Sequence, residues 1–453
     1  MSDLPTGWAE VALAEICHFN PKHDADLDRH TLVSFVPMPA VSEESGSITE
    51  HDSRPLQEVW SGYTHFQDGD VIFAKITPCM ENGKIAVARS LTNGIACGST
   101  EFHVLRPATG ISAAYIWRFL RQERFRRDAE ASMNGAVGQR RVPRSFLENS
   151  ALPLPPSAEQ CRVVAKLDQL FERTTSAREE LAHIPALVEH YKQAILRKAF
   201  SGELTAHWRE KHGRDEAATS TVGQLVSDIR YGTAKKCYPE EHGVAVLRIP
   251  NVSGGQIVLS DLKYTVFEER ELRKLALRVG DILIVRSNGS PELVGRPAMV
   301  TEEAEGLAYA GYLIRLRPKA EIILPSYLKL MLESPQIRAV VEVAARSTSG
   351  VHNINSEELA GLSIPRPQTD EQREIVRLIA EAFDRIEPVS AERDMAATLL
   401  DHLDSGLLSK AFRGELVPQD PADEPAERLL ERIRLQRGAQ APARRGRRAR
   451  AGV

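Results

Sequence analysis

The sequence lacks the features that mark secreted, membrane-spanning and zinc-binding proteins. Its 453 residues contain five scattered cysteines, none in a C-x-x-C pair or beside a histidine at metal-ligand spacing. No apolar run approaches the ~18 residues of a membrane span, and the N-terminus, MSDLPTGWAE, lacks the basic and apolar regions of a signal peptide. We therefore expect a cytoplasmic protein with reduced thiols and no metal site.

The signatures of common catalytic sites are also missing. There is no G-x-x-x-x-G-K-[ST] phosphate loop, no G-x-G-x-x-G after a strand and no Asn/Asp-Pro-Pro-[Tyr/Phe] motif for methyl transfer. A G-x-S-x-G elbow and an H-E-x-x-H helix are absent as well. The sequence therefore predicts a protein that is not an enzyme by itself and that holds no cofactor of its own.

Basic residues are outnumbered by acidic ones outside the C-terminal end. Residues 428–450 hold nine arginines and one acid, which is +8, so a net charge of −4 leaves about −12 on the remainder. A protein that grips nucleic acid alone presents a basic face, because phosphate neutralisation supplies much of the affinity. The acidic body indicates either that nucleic acid is not bound or that a partner supplies the charge. We predict that residues 417–453 form a basic, flexible tail, with contact to DNA or a partner as the alternative.

What the sequence does contain is an internal duplication. KAFSGEL at 198–204 returns as KAFRGEL at 410–416, and in the same register Glu159-Gln160 returns as Glu371-Gln372. An ordered series of matches in one register is the mark of a repeated unit. Two similar halves indicate that the protein binds something that itself has two halves.

Each repeat has two parts. The first parts, 1–156 and 206–367, combine short apolar runs with amphipathic helices near 114–131 and 325–344, which predicts two α+β domains. The second parts, 157–205 and 368–416, carry apolar residues at helical spacing. Each begins with a predicted capping box, formed by Ser157 or Thr369 and a glutamine three residues later. Pro185 and Pro388 interrupt these segments, so kinked or two-part helices are expected.

The two long helices carry similar apolar stripes, so they are able to pair. An antiparallel pair would relate the two domains by a pseudo-twofold axis and separate them, whereas in the alternative arrangement each helix packs on its own domain. We predict that helix pairing or partner docking uses Phe171, Leu187, Tyr191, Phe200, Phe383, Leu403, Leu407 and Phe412.

Polar loops at matched places in both domains are the predicted DNA-binding residues. Arg and Asn pair with base edges through two hydrogen bonds, while Lys, Ser and Thr suit phosphates. The candidates in the first domain are Lys75, Thr77, Asn82, Lys84, Arg89, Gln139, Arg140 and Arg141. Those in the second are Tyr231, Thr233, Lys235, Lys236, Arg248, Asn251, Arg286, Asn288, Ser290, Arg296, Ser347, His352 and Asn353. One such loop alone is more often a solvated turn, but recurrence favours binding.

Together these segments resemble the specificity subunit of type I DNA restriction-modification enzymes. The resemblance is carried by the proline-containing helix starts that end in Glu-Gln, at 154–160 and 364–372, and by the two Lys-Ala-Phe-x-Gly-Glu-Leu segments. In the second domain it is also carried by YGTAKK at 231–236 and RSNGSPELVGR at 286–296. The first domain differs at 75–84, as expected if each domain reads a different half of the target.

The resemblance implies an α+β fold with target-recognition domains at 1–156 and 206–367 and repeated helical regions at 157–205 and 368–416. It implies a non-catalytic subunit that binds a bipartite, asymmetric double-stranded DNA target and docks two methyltransferase subunits, through which restriction subunits join. S-adenosylmethionine, ATP and Mg²⁺ would then be held by those partners. The alternatives are a stand-alone DNA-binding regulator and a protein-binding coiled-coil adaptor.

Overall fold

The computed structural model describes residues 4–136, 139–345 and 352–440. The chain divides into two units, of which the first is Met1–Leu181 with Met395–Val453 and the second is Ala182–Asp394. Each unit therefore contains one of the predicted α+β domains and part of both long helical segments.

The first domain is built from short strands and short helices. Its strands are β1 (Ala9–Ala12), β2 (Cys17–Phe19), β3 (Leu32–Val36), β4 (Asp52–Pro55), β5 (Thr64–Gln67), β6 (Val71–Ala74), β7 (Ile85–Val87), β8 (Ile95–Gly98), β9 (Phe102–Pro107) and β10 (Ala151–Leu154). Its helices are α1 (Leu13–Ile16), α2 (Leu56–Val59), α3 (Ala113–Leu120), α4 (Glu123–Ala131) and α5 (Arg144–Asn149). The strands form sheets of order β2–β9–β6–β7 and β4–β3–β8–β5, and β1 pairs with β10.

The first long helix, α6 (Ser157–Ser201), leads into the second domain. The helices there are α7 (Ala206–His212), α8 (Val222–Leu225), α9 (Ile249–Val252), α10 (Glu269–Leu275), α11 (Pro325–Glu333), α12 (Pro335–Ala344) and α13 (Ser356–Gly361). The strands are β11 (Ala218–Thr221), β12 (Val226–Tyr231), β13 (Val244–Leu247), β14 (Lys263–Thr265), β15 (Ile282–Val285), β16 (Ser287–Asn288), β17 (Pro297–Met299), β18 (Ala308–Tyr309), β19 (Leu313–Pro318), β20 (His352–Asn353) and β21 (Ser363–Arg366). The chain then forms α14 (Thr369–Phe412) and α15 (Ala426–Gln440).

The sheets of the second domain repeat those of the first. The order β12–β19–β15–β17 corresponds to β2–β9–β6–β7, β11–β21 corresponds to β1–β10, and β14–β13–β18 corresponds to three strands of the other sheet. The short pair β16–β20 is additional. The α+β fold predicted from the sequence is therefore confirmed, and the corresponding strands have the same order in both domains.

The inner strands β6 and β15 are uninterrupted apolar runs because both of their faces are covered. Val71 and Phe73 belong to one core and Ile72 to another, so alternate side chains of β6 point into different cores. The four residues of β15 are divided in the same way between two cores. An inner strand held from both faces gives the loop that follows it a fixed starting point.

Each of the two predicted amphipathic helices is broken into two. The segment near 114–131 forms α3 and α4, with Gln122 in an extended conformation between them. The segment 325–344 forms α11 and α12, and its break is at Ser334, which precedes Pro335. A proline disfavours the helical conformation of the residue before it, which explains the second break.

The long helices α6 and α14 run through Pro185 and Pro388 as single helices rather than as two parts. Both prolines are exposed. Water can therefore reach the carbonyl that each proline leaves without an amide donor.

The two long helices pair in antiparallel fashion within each unit. In the first unit, Arg178 of α6 forms ion pairs of 2.9 Å with both Asp401 and Asp404 of α14. Arg162, near the start of α6, pairs with Asp423, which follows α14 in the chain. In the second unit, the Lys192 ammonium lies 5.5 Å from the centre of the Phe383 ring, and the Thr205 hydroxyl donates to Glu371. Residues later in the first helical segment therefore contact residues earlier in the second, as expected for an antiparallel pair.

The same helices also pack on the domains, so both arrangements considered above are present. The first unit's core includes Val163, Leu167, Ala411 and Phe412, and the second unit's core includes Leu196, Ala199, Ile375 and Ile379. Helix pairing and domain packing therefore use the same two helices in each unit.

The repeated glutamine at the start of each long helix is buried and binds the backbone of the domain. The Gln160 carboxamide accepts a hydrogen bond from the Ser112 amide (2.9 Å) and donates to the Pro155 carbonyl (3.1 Å). Gln372 accepts from the Leu324 amide (2.8 Å) and donates to the Pro367 carbonyl (2.9 Å). The predicted capping boxes are therefore wrong, because these carboxamides serve the domain instead of the helix terminus.

The neighbouring glutamates are buried too, but their partners differ. Glu371 accepts hydrogen bonds from the Thr205 hydroxyl (2.6 Å) and the Arg209 guanidinium (2.8 Å). Glu159 accepts from the Trp8 indole (3.1 Å) at one oxygen, and its other oxygen is buried without a partner among the described residues. Burial raises the pKa of Glu159 above its ordinary value.

The C-terminal segment corrects the prediction of a flexible tail from residue 417. Helix α15 buries Ala426, Leu429, Leu430 and Ile433 in the core of the first unit, and Arg434 pairs with Glu15 at 2.7 Å. These apolar residues follow helical spacing, a signal that the density of arginines hid. Residues 441–453 lie outside the described residues.

The two buried glutamates give a paired prediction about stability. A raised pKa means that folding favours the protonated carboxyl of Glu159, so its stabilising effect is lost as pH rises from about 4.5 through the raised pKa. We expect Glu159→Gln to raise the free energy of unfolding by about 1 kcal/mol at pH 7, with the gain shrinking towards pH 4.5.

Glu371→Gln should instead lower the free energy of unfolding by about 2 kcal/mol, because Arg209 loses its buried partner. Urea unfolding between pH 4.5 and 8 measures both, and equal destabilisation by the two variants would contradict the assignment.

Candidate nucleic-acid interface

In each unit, a predicted binding loop leaves the end of an inner strand. We call residues 75–84 and 286–296 the exit loops, since they follow β6 and β15. The carbonyl of Lys75 accepts a hydrogen bond from the Val142 amide (2.8 Å), and the carbonyl of Arg286 accepts one from the Ile354 amide (2.9 Å). Lys75 and Arg286 therefore occupy equivalent places in the two units.

A second loop, called here the return loop, lies beside each exit loop. The described residues of the return loops are 134–136 and 139–141 in the first unit and 352–353 in the second. In the first unit, Ile76 forms an antiparallel bridge with Arg141. In the second, Ser287 and Asn288 of β16 pair with Asn353 and His352 of β20. The structure thus brings together the two groups of loops that the sequence could only name separately.

The Arg286 guanidinium is held in a defined orientation. Its central carbon lies 4.6 Å from the centre of the Tyr231 ring, and its Nε donates to Asn353 Oδ1 at 3.2 Å. The Tyr231 hydroxyl accepts a hydrogen bond from the Ser356 amide (2.9 Å), which fixes the ring. A stacked and hydrogen-bonded arginine loses less entropy on binding than a free one does.

An open cavity of about 860 Å³ adjoins Arg286. Four cationic side chains line it, namely Lys235, Arg248, Lys263 and Arg286, and no acidic residue is among its described lining residues. Tyr312, which is 64% exposed, also lines it. Cations without acids, together with an exposed aromatic ring, suit a polyanionic ligand that carries flat bases.

Two of these cations are anchored by acids that do not line the cavity. Lys235 pairs with Glu271 at 2.5 Å, and Arg248 pairs with Asp261 at 2.8 Å. The pairs hold the long side chains in place and reduce the net charge that they present. Lys263 also lines the cavity and was not among the predicted residues.

Other predicted residues of the second unit lie on or near the loops. Asn288 Oδ1 accepts from the Ser290 amide (2.9 Å), and the Arg296 guanidinium donates to the Ser253 carbonyl (3.2 Å). Lys236 is exposed, with its ammonium 5.3 Å from the Tyr238 ring centre. His352 Nδ1 is 3.3 Å from the Ala345 carbonyl. Ser347 lies outside the described residues.

Two predicted residues are structural. Asn251 is 2% exposed, its Oδ1 accepts from the Arg248 amide, and its Nδ2 donates to the carbonyls of Val258 and Ser260. The prediction that Asn251 contacts DNA is therefore wrong, because no part of its amide is available. Thr233 is also buried, and its hydroxyl oxygen accepts from the Lys235 amide in a turn.

The cations of the first unit are largely engaged within the unit. Arg141 binds Glu101 through two hydrogen bonds of 2.9 Å, which lowers the pKa of Glu101. Lys75 donates to the Thr100 carbonyl (2.7 Å), and Arg140 lies 3.5 Å from Glu130. Lys75, Arg140 and Arg141 are therefore engaged within the unit rather than free.

The remaining predicted residues of the first unit fall into two groups. Thr77, Asn82 and Lys84 shape the exit loop, since they donate to Glu81, Glu43 and the Val41 carbonyl respectively. Gln139 and Arg89 are exposed. Asn82 is exposed as well, whereas Thr77 and Lys84 are half-buried.

Two residues that support the loops were missed at the sequence level. Glu101 and Tyr312 accept the amide hydrogens of Lys75 (2.9 Å) and Arg286 (2.8 Å) through their carbonyls. They stand at corresponding positions of the two repeats, in the register set by the adjacent Leu-Arg-Pro segments at 105–107 and 316–318. Extending the alignment by a few residues would have found them, although they share no side-chain chemistry.

Neither a metal site nor a membrane span is found in the described part of the chain. Across 4–136, 139–345 and 352–440, no three His, Cys, Asp or Glu side chains are grouped to hold a metal ion. None of the described helices is both long and apolar enough to cross a bilayer.

Comparison with known proteins identifies the family to which the chain belongs. Residues 5–186 match the family model for the type I restriction modification DNA specificity domain. Over 358 residues the chain is 30% identical to the specificity subunit of the Escherichia coli K12 type I restriction enzyme EcoKI, covering 76% of this chain and 75% of that one. The chain belongs to the specificity subunits of type I restriction enzymes. Such a subunit is the non-catalytic, DNA-recognising component of its restriction system.

Further relatives cover more of this specificity subunit. It is 27% identical over 496 residues to the Escherichia coli EcoEI specificity subunit, covering 90% of this chain and 83% of that one. Its fold is similar to a chain solved in a study of type I R-M complex assembly, with a TM-score of 0.71, 22% identity and coverage of 91% and 99%. The HsdS subunit from Thermoanaerobacter tengcongensis gives a TM-score of 0.64 at 24% identity, with coverage of 91% and 98%. The predicted family is thus confirmed.

The reassignment of Asn251 gives a test. Asn251→Ala removes three hydrogen bonds of a buried amide, so we expect the free energy of unfolding to fall by about 2 kcal/mol. The preference among DNA sequences should not change in the protein that remains folded. Urea unfolding and DNA-binding selection measure the two effects, and altered base preference at unchanged stability would restore Asn251 as a contact residue.

Proposed function

We propose that this specificity subunit reads a bipartite, asymmetric double-stranded DNA target, one half with each unit. The observation that carries the proposal is the equivalence of Lys75 and Arg286, each placed at the end of an inner strand by the same backbone contacts. Two half-sites of different sequence require the same backbone support with different side chains. The proposal is supported further by family membership.

In the second unit, the chemistry suits direct reading of base edges. A guanidinium stacked on Tyr231 presents its nitrogens in one plane, which matches the two acceptors of guanine in the major groove. Asn288 and Asn353 lie on the adjacent strands and carry the amide groups that pair with adenine. Lys235, Lys263 and the exposed Lys236 are suited to phosphates.

In the first unit, reading falls to different groups. Arg141 is held by Glu101, and Gln139 is exposed two residues before it. A glutamine amide and an arginine pinned by a carboxylate differ from the stacked arginine of the second unit in both position and partner. We therefore propose that the two half-sites have different sequences.

We also propose that two methyltransferase subunits dock on the long helices, and that restriction subunits join through them. Leu187 and Tyr191 in the second unit are 63% and 42% exposed, and Leu399 and Leu403 in the first unit are 66% and 48% exposed. The two pairs stand at matched positions in the register of the duplication, so each repeat exposes apolar side chains at the same two places. A duplicated apolar site is expected for two copies of one partner.

The other residues predicted for pairing or docking are used within the chain. Phe171, Leu407 and Phe412 pack on the core of the first unit, and Phe200 and Phe383 pack on that of the second. Docking is thus assigned to Leu187, Tyr191, Leu399 and Leu403, of which Leu399 was not predicted.

Replacing Arg286 should affect one half-site only. Mapping methylated adenines in host DNA should first show one split, asymmetric motif. With Arg286→Ala we expect about 1–3 kcal/mol less discrimination, which appears as relaxed bases in one half of that motif. Arg273→Ala, which removes an exposed arginine of α10 in the same unit, is the control and should leave the motif unchanged. Relaxation in both halves would count against reading by separate units.

Charged substitutions at the duplicated apolar pairs should remove methyltransferase subunits one at a time. Leu187→Glu with Tyr191→Glu, or Leu399→Glu with Leu403→Glu, should leave one subunit bound in place of two, and the four changes together should leave none. Native mass spectrometry of co-expressed subunits counts the copies. Arg173→Gln with Arg385→Gln, at matched exposed positions on the same helices, is the control. Two subunits still bound to the quadruple variant would exclude this surface.

A further inference from the structure

An arginine at the same place in each repeat binds the main chain of the exit loop. Arg126 of α4 and Arg338 of α12 correspond to each other in the register of the duplication. Arg126 Nη1 donates to the Glu81 carbonyl at 2.7 Å. Arg338 donates from Nη1 to the Val294 carbonyl (2.7 Å) and from Nη2 to the Glu292 carbonyl (3.0 Å). Both arginines thus hold the far end of a loop that begins at Lys75 or Arg286.

A glycine at matched positions lies against each arginine. Gly83 and Gly295 correspond in the same register, and both have a left-handed backbone, with φ of +80° and +76°. A Cβ on Gly83 would lie 3.0 Å from Arg126 Nη1, and one on Gly295 would lie 3.1 Å from Arg338 Nη1. A side chain at either glycine would crowd the guanidinium, and at Gly295 it would also come within 2.4 Å of Val341 Cγ1.

The contact is held away from solvent. The Arg338 side chain is 17% exposed, and burial lowers the pKa of its guanidinium. In the first unit, Arg121 adds a hydrogen bond to the Gly83 carbonyl (3.2 Å), so two alternate carbonyls are bound in each loop. A buried cation requires such acceptors, and the loop requires the cation, since its carbonyls have few other donors.

These bonds involve only main-chain atoms of the loop. The side chains at the start of the two exit loops differ throughout, with Lys75 and Thr77 in one and Arg286 and Asn288 in the other. The hydrogen bonds from Arg126 and Arg338, called here the guanidinium clamp, do not depend on those side chains. They can therefore still form when those side chains are replaced. Both Nη atoms of Arg338 and the Nη1 atom of Arg126 are directed at loop carbonyls and are therefore not directed at DNA.

We propose that Arg126 and Arg338 are positioning residues that hold the two exit loops in the shape needed for base reading, each for its own half-site. This inference rests on the proposed function, in which the exit loops contact the bases. The arginines act through the loop backbone and do not themselves select a base.

The test compares half-site discrimination among variants of the full chain. Duplex libraries that carry the host's methylated motif, with one half randomised at a time, are selected by binding. We expect Arg338→Met to reduce discrimination at least tenfold in the half read by the second unit only, and Arg126→Met to do so in the other half only. Arg127→Met, which removes an exposed arginine beside Arg126, should change neither half.

Two further readouts separate positioning from general damage and from direct contact. Arg338→Lys keeps the charge and reaches one carbonyl, so it should recover part of the lost discrimination, whereas loss of folding would reduce binding to both halves alike. The salt dependence of non-specific binding should stay unchanged, since no phosphate contact is lost. A smaller salt slope in Arg338→Met would show a phosphate contact and overturn the proposal.

The outcome also distinguishes this inference from the function on which it rests. If Arg286→Ala relaxes one half-site and Arg338→Met leaves it unchanged, the clamp is refuted and the proposed reading by exit loops stands. If neither variant relaxes a half-site, the proposed function itself fails.

Discussion

The buried carboxamide at the start of each long helix is the contact on which the rest of the structure depends. A neutral amide carries both donors and acceptors, so it can be buried at little cost when all of them are satisfied. Gln160 and Gln372 each join the beginning of a helix to the backbone of a domain. Because the helix is fixed there, its apolar side chains enter the domain core and its other face meets the second helix. Each domain and the parts of the long helices that pack on it therefore form one folded unit.

The strands and long helices give both repeats the same backbone support, whereas the side chains of the exit loops differ between the repeats. The inner strands β6 and β15 each pack against two cores. The residues that follow them, Lys75 and Arg286, are held by equivalent backbone hydrogen bonds. Guanidinium clamps close the loops at the far end. A loop fixed at both ends through main-chain atoms presents its side chains with little freedom, which favours discrimination between bases. The same frame can then serve loops of different sequence.

Sequence reasoning succeeded where periodicity and repetition carry the signal. The duplication, the domain class and the long helices follow from apolar spacing and from matched segments such as KAFSGEL and KAFRGEL. It failed where a polar side chain has two plausible partners. Asn251 has the chemistry of a base reader but satisfies a buried turn, and Gln160 has the spacing of a cap but binds another segment. The hydrogen-bond partner that such a side chain takes depends on residues far away in the sequence. A local sequence pattern does not contain those residues.

The packing of α15 has a consequence for the order in which the protein is made. The Ala426 amide donates to the Gly7 carbonyl (2.9 Å), and the core around α1 includes Leu429 and Ile433. The second unit is one continuous stretch, 182–394, so it can finish its core while the ribosome is still elongating the chain. Most of the first unit is translated earlier, but its core waits for residues that are translated after the second unit. We therefore expect the half that is synthesised first to be the half that matures last, with its apolar surface open to chaperones in the interval.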